Sequence, residues 1–162
     1  MRKVTMFRTV LAVLTAGLAL AALPTQAFAQ SAGPFQYHSL TPCRLADTRN
    51  AAGASGGPIL SDGVTRNFPV QGVCGVPVGA KAVSVNLTAV GPTTTGYMTL
   101  FPAGITRPVV STLNYSAGES AIANGAIVPL ADQATHPLDV AVFPRVAGGT
   151  VHMVLDVTGY FQ

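Results

Sequence analysis

The chain has 162 residues, 17 of them glycine and 12 proline, and only 9% are charged. Nine Lys and Arg stand against six Asp and Glu, but Arg2, Lys3 and Arg8 sit at the extreme N-terminus; beyond it six basic residues face six acidic ones. Nucleic-acid binding, which needs clustered Lys and Arg to displace counterions, is excluded, and so is disorder, which pairs high charge with low hydrophobicity.

Residues 1–29 predict a secretory signal peptide. Arg2, Lys3 and Arg8 precede the apolar run 10–23, and Ala27-Phe28-Ala29 supplies small residues at a cut site. The run is shorter than the about 20 residues a membrane span requires, and Pro24 interrupts it. Cleavage is expected between Ala29 and Gln30. The product is one domain by length, with no transmembrane segment, either secreted or held at the cell surface or envelope. Neither cysteine lies at the end of the leader, so no lipid anchor is expected there.

The rest reads as strands. Gly33-Pro34 belongs to an N-terminal lead, followed by strands over 37–41 and 43–47. Residues 50–57, rich in Ala, Gly and Ser without periodicity, read as a loop. A strand is expected over 64–71. In 82–90, Val83, Val85, Leu87 and Ala89 alternate with Ser84, Asn86 and Thr88. That period of two buries one face and leaves small polar groups on the other.

Residues 91–96 read as a turn between neighbours, with strands following over 97–101 and 109–115. The best helical stretch, 117–123, is too short to stand alone. Further strands are expected over 126–130 and 138–143, with a turn at 147–149. In the last strand Val151, Met153, Leu155, Val157 and Phe161 alternate with His152, Asp156, Thr158 and Tyr160, tying the C-terminus into the sheet. Short strands with Gly or Pro about every 8–12 residues predict an all-β fold. The expectation is a single β-sandwich or barrel-like domain over 30–162, with about eight or nine antiparallel strands.

Cys43 and Cys74 are the two cysteines. An even count in an exported chain favours a disulfide. Closing a loop of about 32 residues corresponds to roughly 3.7 kcal/mol of chain entropy. The alternatives are free thiols, a catalytic thiol or half a metal site. A zinc site would need further Cys or His at close spacing, and neither cysteine has such a neighbour.

Thr41-Pro42-Cys43-Arg44-Leu45-Ala46-Asp47-Thr48-Arg49 resembles the opening of a type of exported bacterial β-rich module. Val154-Leu155-Asp156-Val157-Thr158-Gly159-Tyr160-Phe161 resembles its close. Val76-Pro77, residues 80–88 and Ser111-Thr112-Leu113-Asn114 fit as well, so the likeness covers most of the chain after the leader. Such modules also occur appended to larger exported proteins. The resemblance therefore implies a binding or architectural role, and it carries no chemistry with it.

The charges in these motifs have a structural reading. Asp47, Arg49 and Asp156 lie in otherwise uncharged strand-like segments, where a charge near a core must be paired and hydrogen-bonded. Arg44 or Arg49 is expected to meet Asp47 or Asp156, tying the first strand to the last. The alternative is that all four point to solvent.

Chemistry-bearing patterns are sparse. Glycoside hydrolysis wants two placed carboxylates; Asp132 and Asp139 are the candidate pair, in a setting of loop and strand edge. Gly118-Glu119-Ser120-Ala121-Ile122 starts like a nucleophile elbow but ends on Ile, with no helix pattern after it. His38, His136 and His152 lack paired metal-ligand spacing, and Asp62-Gly63 is a meagre start for a calcium loop. No cofactor or metal is expected. Asn86-Leu87-Thr88 and Asn114-Tyr115-Ser116 match the glycosylation sequon, yet both lie in expected strands, where the Asn side chains would satisfy neighbouring groups.

The composition thus points to a non-catalytic structural or adhesive module that meets a protein or polysaccharide surface, or another copy of itself. A carbohydrate-binding module is the second reading, with Tyr37, Tyr97, Tyr115 or Tyr160 offering a flat ring to a sugar. A hydrolase is third.

Overall fold

The computed structural model describes residues 33–162. The expected leader and its cleavage between Ala29 and Gln30 lie outside the described residues. Nine strands are present: β1 (Tyr37–Asp47), β2 (Leu60–Ser61), β3 (Arg66–Phe68), β4 (Ala82–Val90), β5 (Gly96–Pro102), β6 (Leu113–Tyr115), β7 (Ala121–Pro129), β8 (Val140–Arg145) and β9 (Thr150–Phe161). They form two antiparallel sheets. One runs β1-β9-β4-β7 with β2 added on β9, and the other runs β3-β8-β5-β6. The fold is all-β, with the Cys43–Cys74 disulfide formed. Among the described residues no helix is long and apolar enough to cross a membrane.

Alternation builds the core. On β4, Val83, Val85, Leu87 and Ala89 are buried while the residues between them are half-buried. The second sheet supplies Phe68, Met98, Val140 and Val142 to the same cluster, all buried. Full burial of a large apolar side chain contributes about 1.5–3 kcal/mol, so these facing rows are what hold the sheets together. Phe101, Ala103, Ala131 and Ala141 form a smaller cluster, with Phe143 packed against it.

β9 is the central strand of the larger sheet, paired on one side with β4 and on the other with β1 and β2. Its alternation holds only as far as Val157. Ser84 pairs with Gly159 and Val85 with Val157, so Thr158 is an extra residue. A bulge of one residue moves the side chains beyond it to the opposite face. Tyr160 therefore pairs with Val83 and packs against the core, whereas Phe161 pairs with Ala82 and Tyr37. The expected placement of Phe161 inward and Tyr160 outward is reversed.

Other expectations shift for similar reasons. The two strands expected over 37–47 are one strand, broken by irregularities between Ser39 and Cys43 and between Arg44 and Ala46. Pro42, which has no N–H to donate, falls in the first of these. β2 was not legible, because two residues carry no period. β3 and β6 are shorter than expected, and β7 is longer, taking in half of the helical stretch. Asn124 and Gly125 interrupt the apolar alternation of β7 and mask it.

The segments expected as turns between neighbours instead cross between sheets, since β4 and β9 belong to one and β5 and β8 to the other. The two crossings are tied together. Thr93 N donates to Thr150 O at 3.0 Å, and Thr150 N donates to Thr93 Oγ1 at 2.9 Å.

Candidate functional site

The opening and closing motifs meet along the β1–β9 seam. Arg44 pairs with Asp156 across the ladder while Leu45, the extra residue next to it, turns into the core. Arg44 Nε donates to Asp156 Oδ1 at 2.8 Å, and its Nη1 reaches Asp47 Oδ2 at 3.2 Å. Asp47 is buried at the end of β1. It accepts from Arg49 N at 3.1 Å, Nε at 2.8 Å and Nη2 at 2.6 Å. The Arg49 guanidinium holds the Asp47 carboxyl down at about 2, outweighing the upward push of burial. Thr48 completes the clamp: Met153 N donates to its Oγ1 at 2.8 Å, and His152 Nδ1 lies 3.2 Å from the same oxygen.

The disulfide ties this strand to a turn the sequence left unread. Residues 70–76 hold three left-handed positions, Gly72, Cys74 and Gly75, at φ of 80°, 55° and 81°. Cys74 is the only non-glycine residue among the described ones with a positive φ, a conformation that costs an L-residue roughly 1–2 kcal/mol. Two restraints fix the turn: the bond from Cys74 to Cys43, and a carboxylate at its start. Asp139, buried, accepts from Val70 N at 2.6 Å, Gln71 N at 2.9 Å and Gln71 Nε2 at 2.6 Å. Gln133 Nε2 adds a fourth bond at 3.1 Å.

The outer face of the larger sheet carries an open groove. Ser84, Asn86, Gly125, Ile127 and Thr158 line it, and its volume is about 530 Å³. Ser84 Oγ and Thr158 Oγ1 lie 3.0 Å apart. At its β1 end Tyr37, half-exposed, donates from its hydroxyl to Thr158 O at 3.2 Å. The Tyr37 ring sits over Gly159, where a Cβ would collide with it, and lies 5.2 Å from the Phe161 ring, tilted by 53°.

The other tyrosines are placed differently. Tyr160 packs against the core and stacks on His38. Tyr97 lies against Phe143 on the smaller sheet. Tyr115 is buried, and its one hydroxyl proton is shared between Tyr97 O at 3.2 Å and Arg145 O at 3.1 Å. Burial, with a lesser push from Asp62, raises its hydroxyl to about 12. The expectation of a surface ring at Tyr115 is therefore corrected, because that side chain spans the interior to reach two carbonyls.

Most of the remaining charges are also engaged. Asp62 accepts from Val146 N, Gly148 N and Arg145 Nη1, capping the crossing into β9. These amides and the guanidinium hold its carboxyl below the usual range. Asp132 accepts from Ala134 N, and Glu119 from Ser116 N. Arg66 donates to the carbonyls of Gly56, Gly57 and Pro58 and lies over the Phe68 ring. Arg107 lies over Phe143.

The histidines stand apart, His136 with Leu138 O and His152 with Thr48. Asn114 accepts from Ser111 Oγ at 2.8 Å, while Asn86 faces the groove. Among the described residues no three His, Cys, Asp or Glu side chains group as metal ligands.

Sequence reasoning missed Asp62, Arg66 and the role of Asp139. Each bonds to backbone groups, which leave no charge pattern to read. No family model and no curated protein matches this chain.

Proposed function

We propose that the chain is a non-catalytic exported scaffold that meets partners through its low-charge sheet surface. One observation carries this reading. All six acidic side chains after the N-terminal segment are hydrogen-bond acceptors that fasten strands, turns or crossings: Asp47, Asp62, Glu119, Asp132, Asp139 and Asp156. A general acid or base needs a carboxyl free to exchange a proton with substrate, and these carboxyls are committed to the fold. The disulfide fits an oxidising compartment, and the leader pattern supplies the route to it.

The test is co-sedimentation of the purified, oxidised chain with isolated cell envelopes, alongside a panel of glycoside, ester and peptide substrates. Saturable binding with no turnover is expected. Turnover abolished by a single carboxylate-to-amide change would overturn the scaffold reading. The groove favours one second reading, carbohydrate binding, because Tyr37, half-exposed, bonds Thr158 at the edge of a groove lined by Ser84, Asn86 and Thr158. A glycan array comparing the chain with its Tyr37→Ala variant tests it. Binding that the substitution removes supports a sugar site.

A further inference from the structure

Five strands lie at the edges of the two sheets, and four are poor templates for another strand. β1 is broken by two irregularities and carries Arg44 and Asp47. β2 has two residues, and β3 and β6 have three each. β7 is the exception. It has nine residues, no charge, no bulge, and is in register with β4 from Ala121 to Pro129. Folded proteins ordinarily blunt such an edge with charge, bulges or shortness.

The phase of the ladder shows which groups β7 leaves over. Gly91 N donates to Ser120 O and Leu130 N to Lys81 O. These bonds continue the β4–β7 register at either end, so Ile122, Asn124, Ala126 and Val128 share their phase and bond to β4. The N–H and C=O groups of Ala121, Ala123, Gly125 and Ile127 then point away, as does the carbonyl of Pro129. All five of these residues are exposed. Pro129 agrees with this phase, since proline is tolerated where the missing N–H would face outward.

We infer that β7 is a self-pairing edge, and that a second copy of this chain docks there antiparallel about a two-fold axis at Gly125. This rests on the scaffold reading and names its partner. The second copy is favoured because the edge is complementary to itself. Centred on Gly125, Ala123 meets Ile127 of the other copy, Gly125 meets Gly125, and Ala121 meets Pro129. Every outward N–H then faces an outward carbonyl, and no like charges meet, because the strand has none. An isologous contact of this kind closes at two copies.

Apolar surface lies beside the seam. Asn124 Nδ2 donates to Thr112 O at 2.7 Å, holding close to β7 the segment that carries Val109 and Val110, 93% and 57% exposed. Ile127, 65% exposed, stands on the other face. The paired sheets would also join the two grooves across the axis.

Sedimentation velocity of the full oxidised chain from about 1 µM to about 1 mM tests this, with amide exchange followed by NMR. A dimer that grows with concentration is expected, together with slowed exchange at Ala121, Ala123, Gly125 and Ile127. Gly125→Pro removes one outward N–H at an edge position, where proline is tolerated, and a Cβ there has nothing closer than Val85 O at 4.0 Å. It should raise the dimer Kd by about tenfold or more. Ala123→Lys does the same by charge and serves where the proline variant fails to fold.

A monomer throughout, or a dimer whose β7 amides stay unprotected or whose Kd both variants leave unchanged, overturns the inference. Protection appearing only when a different extracellular protein is added overturns the second copy as occupant. None of these outcomes touches the scaffold reading, whose own test is envelope binding without turnover.

Discussion

Asp47 and Asp139 are both buried carboxylates, and they are held by opposite means. Asp47 sits at the rim of the β1–β9 seam under two guanidinium groups, each about half-exposed. Asp139 lies deep at the start of β8 and is held by two backbone amides and two glutamine side chains. A neighbouring cation that water also reaches can be re-solvated when its partner is lost. Backbone N–H groups in the interior cannot follow, so the amide-bound carboxylate carries more of the stability.

The sharpest way to break this comparison is Asp139→Ala. It strands the amides of Val70 and Gln71 at a turn with three left-handed residues. At about 1–3 kcal/mol for each unsatisfied buried donor, a loss of about 4 kcal/mol is expected. That corresponds to a fall of more than about 10 °C in Tm for a domain of this size, read by calorimetry. Asp139→Asn keeps an acceptor for the amides but turns an NH₂ toward Gln71 and Gln133, so it should fall between. A loss below about 1 kcal/mol for the alanine variant would show that water or a rearranged turn replaces the carboxylate.

The disulfide joins the two regions, because it links the far end of the Asp139-held turn to the residue before Arg44. Its reduction, or a Cys43→Ser/Cys74→Ser pair, should cost about 2–4 kcal/mol in urea unfolding. In the Asp139→Ala background the cost should change, since both restrain one turn and neighbouring restraints are not additive. Strict additivity would mean the two ends of residues 70–76 act independently.

The contrast also explains what the sequence could disclose. β4 was legible to the residue because one clean period of two covers its whole length. Arg44, Asp47, Arg49 and Asp156 stood out as isolated charges of opposite sign in apolar strands, and the fold brings them together. Asp139 looked like half of a catalytic pair with Asp132, because an acceptor of backbone amides has no partner visible in the side-chain pattern. The bulge at Thr158 was equally silent, being set by pairing with Ser84 and Val85. β7 was read short because Asn124 leaves the core rows to bond Thr112.

Acid should separate the two carboxylates as well. The folded Asp47 carboxyl, held at about 2, lies below its ordinary value of 3.8. A depressed folded value stabilises the protein above the unfolded value, and the gain is lost as pH falls from near 4 toward 2. The shift corresponds to about 1–2 kcal/mol once the exposure of Arg44 and Arg49 is allowed for. Asp47→Asn should therefore be less stable than the parent by that amount at pH 7, with the gap closing by about pH 2. Asp62 titrates in the same direction in both proteins and cancels in the difference. Urea unfolding at pH 7, 4 and 2 reads it. A gap that persists at pH 2 would place the effect in lost packing, not charge.

The smallest effect belongs to Asp156. Its bonds from Arg44, at 2.8 and 3.3 Å, span the two motifs, but the Arg44 side chain is 50% exposed and that of Asp156 27%. Exposed pairs contribute about 0.2–1 kcal/mol, so Asp156→Ala should lower Tm by only about 1–4 °C. Arg44 keeps its contact with Asp47 in that variant, and the freed guanidinium nitrogens face water. The loss should shrink further in about 0.5 M salt, which screens exposed charges and leaves backbone-held ones alone. A salt-insensitive loss above about 2 kcal/mol would mean that the seam behaves like the Asp139 turn, where removing the carboxylate strands buried partners that water cannot reach.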